Sequence, residues 1–406
     1  MYYSLNNNVY IVKGKAKGCI YDLNTSKLYS VNKALADKLV EINKNGLFVD
    51  DVDYELKSIL QQLVKNGLVK MTQTHSPNNI KDIIDEDTGC KFAWIEITNK
   101  CNLKCIHCYN ESDARCDNIM SITDFYRVVD YLVNIGVSKI QITGGEAFLN
   151  KEILRQMLSY TVGKFDFIEI FTNGTLITDE WFEYLRKNKI HIALSVYSYD
   201  SKMHDSVTRV RGSHNKTYKT IEKLKKFGIS YRVCNVLMNG IELGEKNSDL
   251  YILSENKDVV RVTGRADFNL LNDELIKKRL ITKETFQIPI TRAFCKRLIS
   301  GHNCFNDKIY IAANLDVFPC VMERRIKHGN LKQNDFQLNN DIRKFTKDKI
   351  EECSECEYRY ACFDCRPNSL SRKISEKPWY CTYNPLTGNW EDIDGFILNL
   401  KGKLRK

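Results

Sequence analysis

From Phe92 onward the chain alternates short apolar runs with amphipathic stretches, and this alternation restricts the possible folds more than any other feature. The runs are "FAWIEIT", "KIQITGG", "DFIEIFTNG", "IHIALSVY", "ISYRVCNVLMN" and "VVRVTGR". Helical spacing fills most of the gaps, as in "SITDFYRVVDYLVNIG" and "TDEWFEYLRKNK". Six strands joined by crossovers predict a parallel sheet with helices outside, open or partly closed. The fold class is therefore α/β, with a partial (β/α)6 TIM-like barrel over residues 92–290. Reactive groups in such barrels lie at the C-terminal ends of the strands.

Two other units flank this barrel. In residues 1–75, "NVYIVKG", "CIYDL" and "KLYSV" read as strands, and "KALADKLVEINKN" and "DYELKSILQQLVKNG" as helices, with Gly67 as a stop signal. This is a winged-helix-like module, followed by a polar linker over 76–91. From about residue 290 the alternation breaks. Residues 291–390 hold eight cysteines in short loops, and 391–406 form a tail ending in "KGKLRK". A segment this rich in loops is expected to lack a sufficient apolar core and to fold around metal.

The 15 cysteines carry the chemistry. No signal-peptide core and no run near the roughly 20 apolar residues of a membrane helix is seen, so a cytoplasmic, membrane-free setting is expected. In a reducing compartment such a count points to thiolate–metal sites rather than disulfides. The net charge of +10 is scattered, as on a solvated surface, although a face for an acidic reductase is compatible with it. No aromatic-rich basic motif supports nucleic-acid binding.

"CNLKCIHCYN" follows the first barrel strand and places Cys101, Cys105 and Cys108 in C-x3-C-x2-C spacing. With His107 these residues could hold zinc, and without it they could hold three corners of an iron–sulfur cluster. "TGGEAF" ends the second strand, "TNGT" the third and "LSVYS" the fourth. Taken alone, C-x2-C-x5-C-x2-C over 353–365 suits a zinc knuckle.

Together these motifs resemble the radical S-adenosylmethionine (SAM) enzymes that carry a C-terminal SPASM extension, strongest over 92–385. The resemblance implies that Cys101, Cys105 and Cys108 hold a [4Fe–4S] cluster whose fourth iron binds SAM. Tyr109 would lie near the adenine, and Gly144, Gly145 and Glu146 would match the family's GGE motif. Thr172, Asn173, Ser195 and Arg209 (or Arg211) would complete the SAM contacts. Where the family often has Asp-Gly after the serine, this chain has Tyr197-Ser198. In the same layout Cys295, Cys304, Cys320 and Cys365 would hold an inner auxiliary cluster. Cys353, Cys356, Cys362 and Cys381 would hold an outer one, giving three [4Fe–4S] clusters in all. Leu315 replaces a glycine of the family pattern, and the gap before Cys365 is one residue shorter than in many members.

The N-terminal module resembles the PqqD-like domains that bind precursor leader peptides, with a strand edge open to β-augmentation. The resemblance therefore implies a maturase of ribosomally made peptides, such as the thioether-forming sactisynthases, supplied with electrons by a flavodoxin- or ferredoxin-type partner. Carbon–carbon crosslinking and epimerisation are alternatives, the latter needing a hydrogen donor such as Cys234, or less readily Cys116. A sulfatase-maturing enzyme and a zinc-stabilised nucleic-acid-binding protein are the rivals from other classes. The remaining cysteines, Cys19 and Cys90, read as small buried hydrophobes.

Overall fold

The computed structural model describes residues 1–84, 89–245, 255–368 and 373–404. Residues 85–88 of the linker and the last two of the basic tail lie outside them. The N-terminal unit runs β1 (Tyr2–Leu5), β2 (Val9–Lys13), β3 (Lys17–Asp22), β4 (Lys27–Asn32), α1 (Lys33–Asn45), β5 (Leu47–Phe48), α2 (Tyr54–Lys65) and β6 (Val69–Thr72). The three strands anticipated from sequence are β2, β3 and β4, an antiparallel sheet with β3 at its centre. A second small sheet, β5-β1-β6, supplies the wing and was not anticipated. Asn32 and Asp53 cap the two helices through their side chains, and α1 buries Ala36, Leu39 and Ile42 against the sheet. Among the described residues β4 pairs only with β3, and its outer edge is largely exposed.

The β2–β3 hairpin rests on the cysteine-rich C-terminal region. The Lys15 N–H donates to Glu355 O at 2.8 Å, the Tyr21 hydroxyl to Glu357 O at 2.9 Å, and Arg359 to Lys13 O at 2.9 Å. Part of the linker joins this contact, because Ile80 and Ile83 are buried beside Tyr10 and Val12.

The barrel follows as β7 (Phe92–Glu96), α3 (Ile122–Asn134), β8 (Lys139–Thr143), α4 (Lys151–Thr161), β9 (Phe167–Thr172), α5 (Asp179–Lys187), β10 (His191–Ser195), α6 (Ser201–Thr208), α7 (Ser213–Lys226), β11 (Tyr231–Leu237) and β12 (Glu255–Val259). Neighbouring strands are consecutive in sequence and parallel. The sheet is open and extends beyond β7 through β13 (Lys308–Ile311), β14 (Asp316–Phe318) and β15 (Gly329–Asn330). Two expectations need correction. The sixth strand is the polar "ENKDV" rather than "VVRVTGR", because an edge strand pairs through its backbone while Val260 and the residues after it turn inward. The alternation also does not end at 290, since β13 restores a parallel neighbour to β7.

Strand periodicity divides the barrel residues between two environments. Ile140, Ile142, Ile168, Ile170, Ile192 and Val233 face the helices, where Phe125, Val128, Val129 and Leu132 of α3 meet them. The alternate positions Gln141, Glu169, Arg232 and Cys234 point the other way and form a polar interior. Arg232 donates to both Glu169 oxygens at 2.8 Å, and Gln141 donates to the same carboxylate. The final helix, Ile393–Leu404, packs Ile397 and Leu400 against the strand-end loops. Among the described residues no helix is long and apolar enough to cross a membrane.

Two histidines make the fold sensitive to acid. His204 Nδ1 accepts the Tyr197 N–H at 3.3 Å and His328 Nδ1 accepts the Asn339 N–H at 3.1 Å, so each ring must keep a lone pair. Burial, with His214 near the first and Arg343 near the second, lowers both to about 4. An unfolded histidine titrates near 6.5, so the unfolded chain binds more protons between these values and stability falls as pH drops from about 6.5 to about 4. Each ring accounts for roughly 3 kcal/mol over that window. Denaturant midpoints measured from pH 7 to 4 are expected to fall, and His328→Gln should flatten the slope.

Candidate active site

The cysteine loop has almost no regular structure, and its backbone is held from outside. Gly145 N–H donates to Thr98 O at 2.6 Å and Glu146 N–H to Lys100 O at 2.9 Å. A Cβ on Gly144 would lie 2.6 Å from Thr98 O, and one on Gly145 2.2 Å from Lys100 O, so only glycine permits this approach. On another side, Lys104 and Ile106 N–H groups donate to Thr208 O and Val207 O at the C-terminal end of α6. From a third side, Arg265 donates through Nε to Cys105 O at 2.9 Å and through its terminal nitrogen to Ser112 O at 2.7 Å. Its neighbour Gly264, at φ +60°, leaves no room for a side chain against Cys108 O.

Cys101, Leu103, Cys105 and His107 line a cavity of about 380 Å³ at the C-terminal ends of the strands, within the range of small-molecule sites. Cys108, Tyr109, Gly144, Gly145, Thr172, Asn173, Ser195 and Cys234 share that cavity, so the structure brings these sequence-selected residues together. Glu146 is fully buried behind it and occupied, accepting from Thr172 Oγ1 at 2.6 Å and from the N–H groups of Asn173 and Phe148. Arg209 is exposed and lines a different cavity, with Lys104, Ile106 and Arg265. Cys116 is not among the residues lining the large cavity.

Two of the three loop thiols are held by directed donors. Leu103 N–H reaches Cys101 Sγ at 3.4 Å, and the Tyr197 hydroxyl bonds to Cys105. Burial, and next the charge of Cys108, push the Cys105 thiol up to about 12. Three thiolates so close and so dry are stable only around positive charge, which fits a metal centre. His107, lowered to about 4 by burial and then by Arg265, is neutral and stacks edge-on against Tyr197 at 4.7 Å. Cys234 Sγ accepts from Arg232 at 2.8 Å, yet burial outweighs that cation and pushes it up to about 11, so it carries its proton at neutral pH.

All the cysteines are free, and those of the C-terminal region fall into groups. Cys353, Cys356, Cys362 and Cys381 line one small cavity together. Cys304, Cys320 and Cys365 lie within electrostatic reach of one another, and burial with this mutual repulsion pushes Cys320 up to about 12. Cys295 is buried beside Cys19, Ile290 and Ile299 under the N-terminal sheet. Among the described residues no three His, Cys, Asp or Glu side chains converge on a position for a single metal ion. Sequence reasoning did not single out Tyr197, Arg232, Arg261 or Arg265 as cavity or loop contacts; the glycine before Arg265 was the one available signal.

Residues 95–248 match the Radical SAM superfamily. This part of the chain is a radical SAM domain. The antilisterial bacteriocin subtilosin biosynthesis protein AlbA of Bacillus subtilis (strain 168) is 41% identical over 143 residues, 35% of this chain and 32% of its own. GTP 3',8-cyclase of Clostridium botulinum (strain Okra / Type B1) is 30% identical over 157 residues, 37% of this chain and 48% of its own. The chain thus spans a third to a half of these relatives. Streptococcus suis SuiB bound to precursor peptide SuiA has a TM-score of 0.55 at 17% identity, covering 93% of this chain and 98% of that one. Native anSMEcpe with bound AdoMet has a TM-score of 0.51 at 16% identity, covering 76% and 95%. These two likenesses show the fold, a partial TIM barrel.

Because the radical SAM loop leans on Gly145, Gly145→Ala should displace Lys100 and the cysteines with it. SAM affinity is expected to fall about tenfold or more, the scale of losing a supporting contact around a metal site. Equilibrium dialysis with labelled SAM on the anaerobically reconstituted protein checks this, and wild-type affinity would refute the clamp.

Proposed function

We propose that this protein is a radical SAM maturase that joins a cysteine sulfur to a carbon atom within a ribosomally made precursor peptide. The observation that carries the proposal is the pairing of one cavity lined by three loop thiols with two further thiol groups in the C-terminal region. In this reading Cys101, Cys105 and Cys108 hold a [4Fe–4S] cluster, which with SAM supplies one-electron cleavage and hydrogen-atom abstraction. Gly144, Gly145, Thr172, Asn173, Ser195 and Tyr109 hold SAM, and Glu146 ties the ends of β8 and β9 together beneath it. The role first assigned to Arg209 passes to none of the cavity residues.

Two auxiliary clusters fit the remaining thiols, the outer on Cys353, Cys356, Cys362 and Cys381, the inner on Cys304, Cys320 and Cys365. The family layout adds Cys295 to the inner set, a role that its position beside Cys19 does not favour. A thioether removes two hydrogens from the peptide: one leaves as an atom from carbon, the other as a proton from the thiol. One electron must then be accepted, and the auxiliary clusters supply that capacity.

A peptide substrate is supported by AlbA, named for bacteriocin biosynthesis, and by SuiB, solved with its precursor peptide. The open edge of β4 is the place for a leader to add a strand. A flavodoxin- or ferredoxin-type protein would supply electrons, and a cytoplasmic setting suits such chemistry. A second reading, epimerisation, is favoured by one observation: Cys234 offers a protonated thiol to the cavity.

Anaerobic incubation with SAM, reductant and the short peptide encoded beside the gene tests the proposal. We expect 5'-deoxyadenosine and a peptide lighter by two hydrogens, with a cysteine no longer alkylated. Unchanged mass with deuterium uptake from heavy water would replace the thioether with epimerisation, and Cys234→Ala should then abolish the uptake while 5'-deoxyadenosine still forms. Zinc without iron or sulfide would overturn both.

A further inference from the structure

One arginine joins the large cavity to the inner thiol group. Arg261 lines the cavity with Asp258, Val260, Thr263 and Met322, and its Nε donates to Cys365 Sγ at 3.4 Å. Its charge also acts on Cys320. A second guanidinium stands behind it, because Arg279 reaches Asp258 Oδ1 at 2.9 Å while Arg261 reaches Asp258 Oδ2 at 2.6 Å. Arg279 Nε has no hydrogen-bond partner among the described residues. Two arginines, 25% and 14% exposed, thus share a single carboxylate that is 46% exposed, leaving an excess of positive charge beside Cys365.

The other charges nearby do not cancel this excess. Asp364, next in sequence to Cys365, is paired with Arg366, whose terminal nitrogen donates to Oδ1 at 2.8 Å, with Lys347 at 3.9 Å from Oδ2. Tyr380 is neutral, its phenol held well above the usual range by burial and then by Asp364, and it accepts the Cys365 N–H at 2.7 Å. The outer group also has cations beside it: Lys347, Arg359 and Lys377 line its cavity, while the fully buried Glu357 carboxylate acts on Cys356. Reducing a cluster adds negative charge, so a fixed cation and an N–H···S bond in a poorly solvated site favour the reduced state.

We infer that Arg261, supported by Arg279, raises the reduction potential of a cluster held by Cys365. Arg261 is a positioning residue here, acting through the cysteine. This rests on the auxiliary clusters proposed above. Asp258 has the opposite influence, because its carboxylate offsets both arginines.

An EPR-monitored redox titration of the anaerobic holoprotein tests the inference. Arg261→Gln is expected to move one auxiliary signal to lower potential, Arg261→Lys to restore most of the shift, and Asp258→Asn to move the same signal to higher potential. The other two signals should stay in place. With iron and sulfide at the wild-type level, an unmoved signal, or shifts of the same sign for Arg261→Gln and Asp258→Asn, would overturn the role of Arg261. A purely structural disturbance would not produce shifts of opposite sign. If Arg261→Gln loses iron, Asp258→Asn carries the test alone. Failure of the auxiliary-cluster reading looks different: wild-type protein would hold about four irons rather than about twelve and show a single signal, and the inference would fall with it.

Discussion

Backbone hydrogen bonds to the cysteine loop are the contacts on which the candidate site depends. Residues 97–110 belong to no helix or strand, so their N–H and C=O groups must find partners elsewhere or remain costly to bury. The partners come from three separate turns: Gly145 and Glu146 after β8, Val207 and Thr208 at the end of α6, and Arg265 after β12. Each turn is itself fixed by a strand or helix of the barrel. The thiols inherit the rigidity of the sheet although they lie on a loop, as a preorganised site requires.

The polar interior of the barrel follows from the same geometry. In most parallel sheets both faces are apolar because both are covered. Here β8, β9 and β11 place Gln141, Glu169, Arg232 and Cys234 on the inner face, where they meet a cavity instead of helices. The buried Glu169–Arg232 pair is tolerable because both carboxylate oxygens and two guanidinium nitrogens are engaged. It gives a charged but ordered floor to a chamber whose rim carries the loop thiols.

Much of this could be read in advance, for reasons that differ by element. The first five barrel strands were visible because Ile, Val and Leu must fill the helix-facing side. The sixth was misplaced because an edge strand needs few apolar side chains, and the apolar run that suggested a strand begins at Val259, its last residue, and continues into loop residues such as the buried Val260. The wing strands β1, β5 and β6 were missed because they are two to four residues long. Cysteine spacing marked the loop, and glycines marked the turn beneath it. Arg265 and Arg261 left almost no trace, since a contact such as Arg265 to Cys105 spans 160 residues and has no local periodicity. Arg209 illustrates the reverse: its sequence context suggested the cavity, but its left-handed position at the end of α6 turns it to another surface.

The seat of the β2–β3 hairpin ties the two ends of the chain together. Lys13, Lys15 and Tyr21 bond to residues 355, 357 and 359, which lie within and just beyond the stretch between Cys353 and Cys356. The platform for the N-terminal unit is therefore a loop-rich segment whose Tyr358, Tyr360 and Ala361 are buried with Tyr10, Val12 and Tyr21 of the hairpin, close to its gathered cysteines. Assembly acquires a direction: the C-terminal thiols must be organised before the unit at the opposite terminus has a fixed place to sit. A chain damaged by oxidation at Cys353 or Cys356 would lose the alignment of a sheet more than three hundred residues away, while the barrel itself stayed folded.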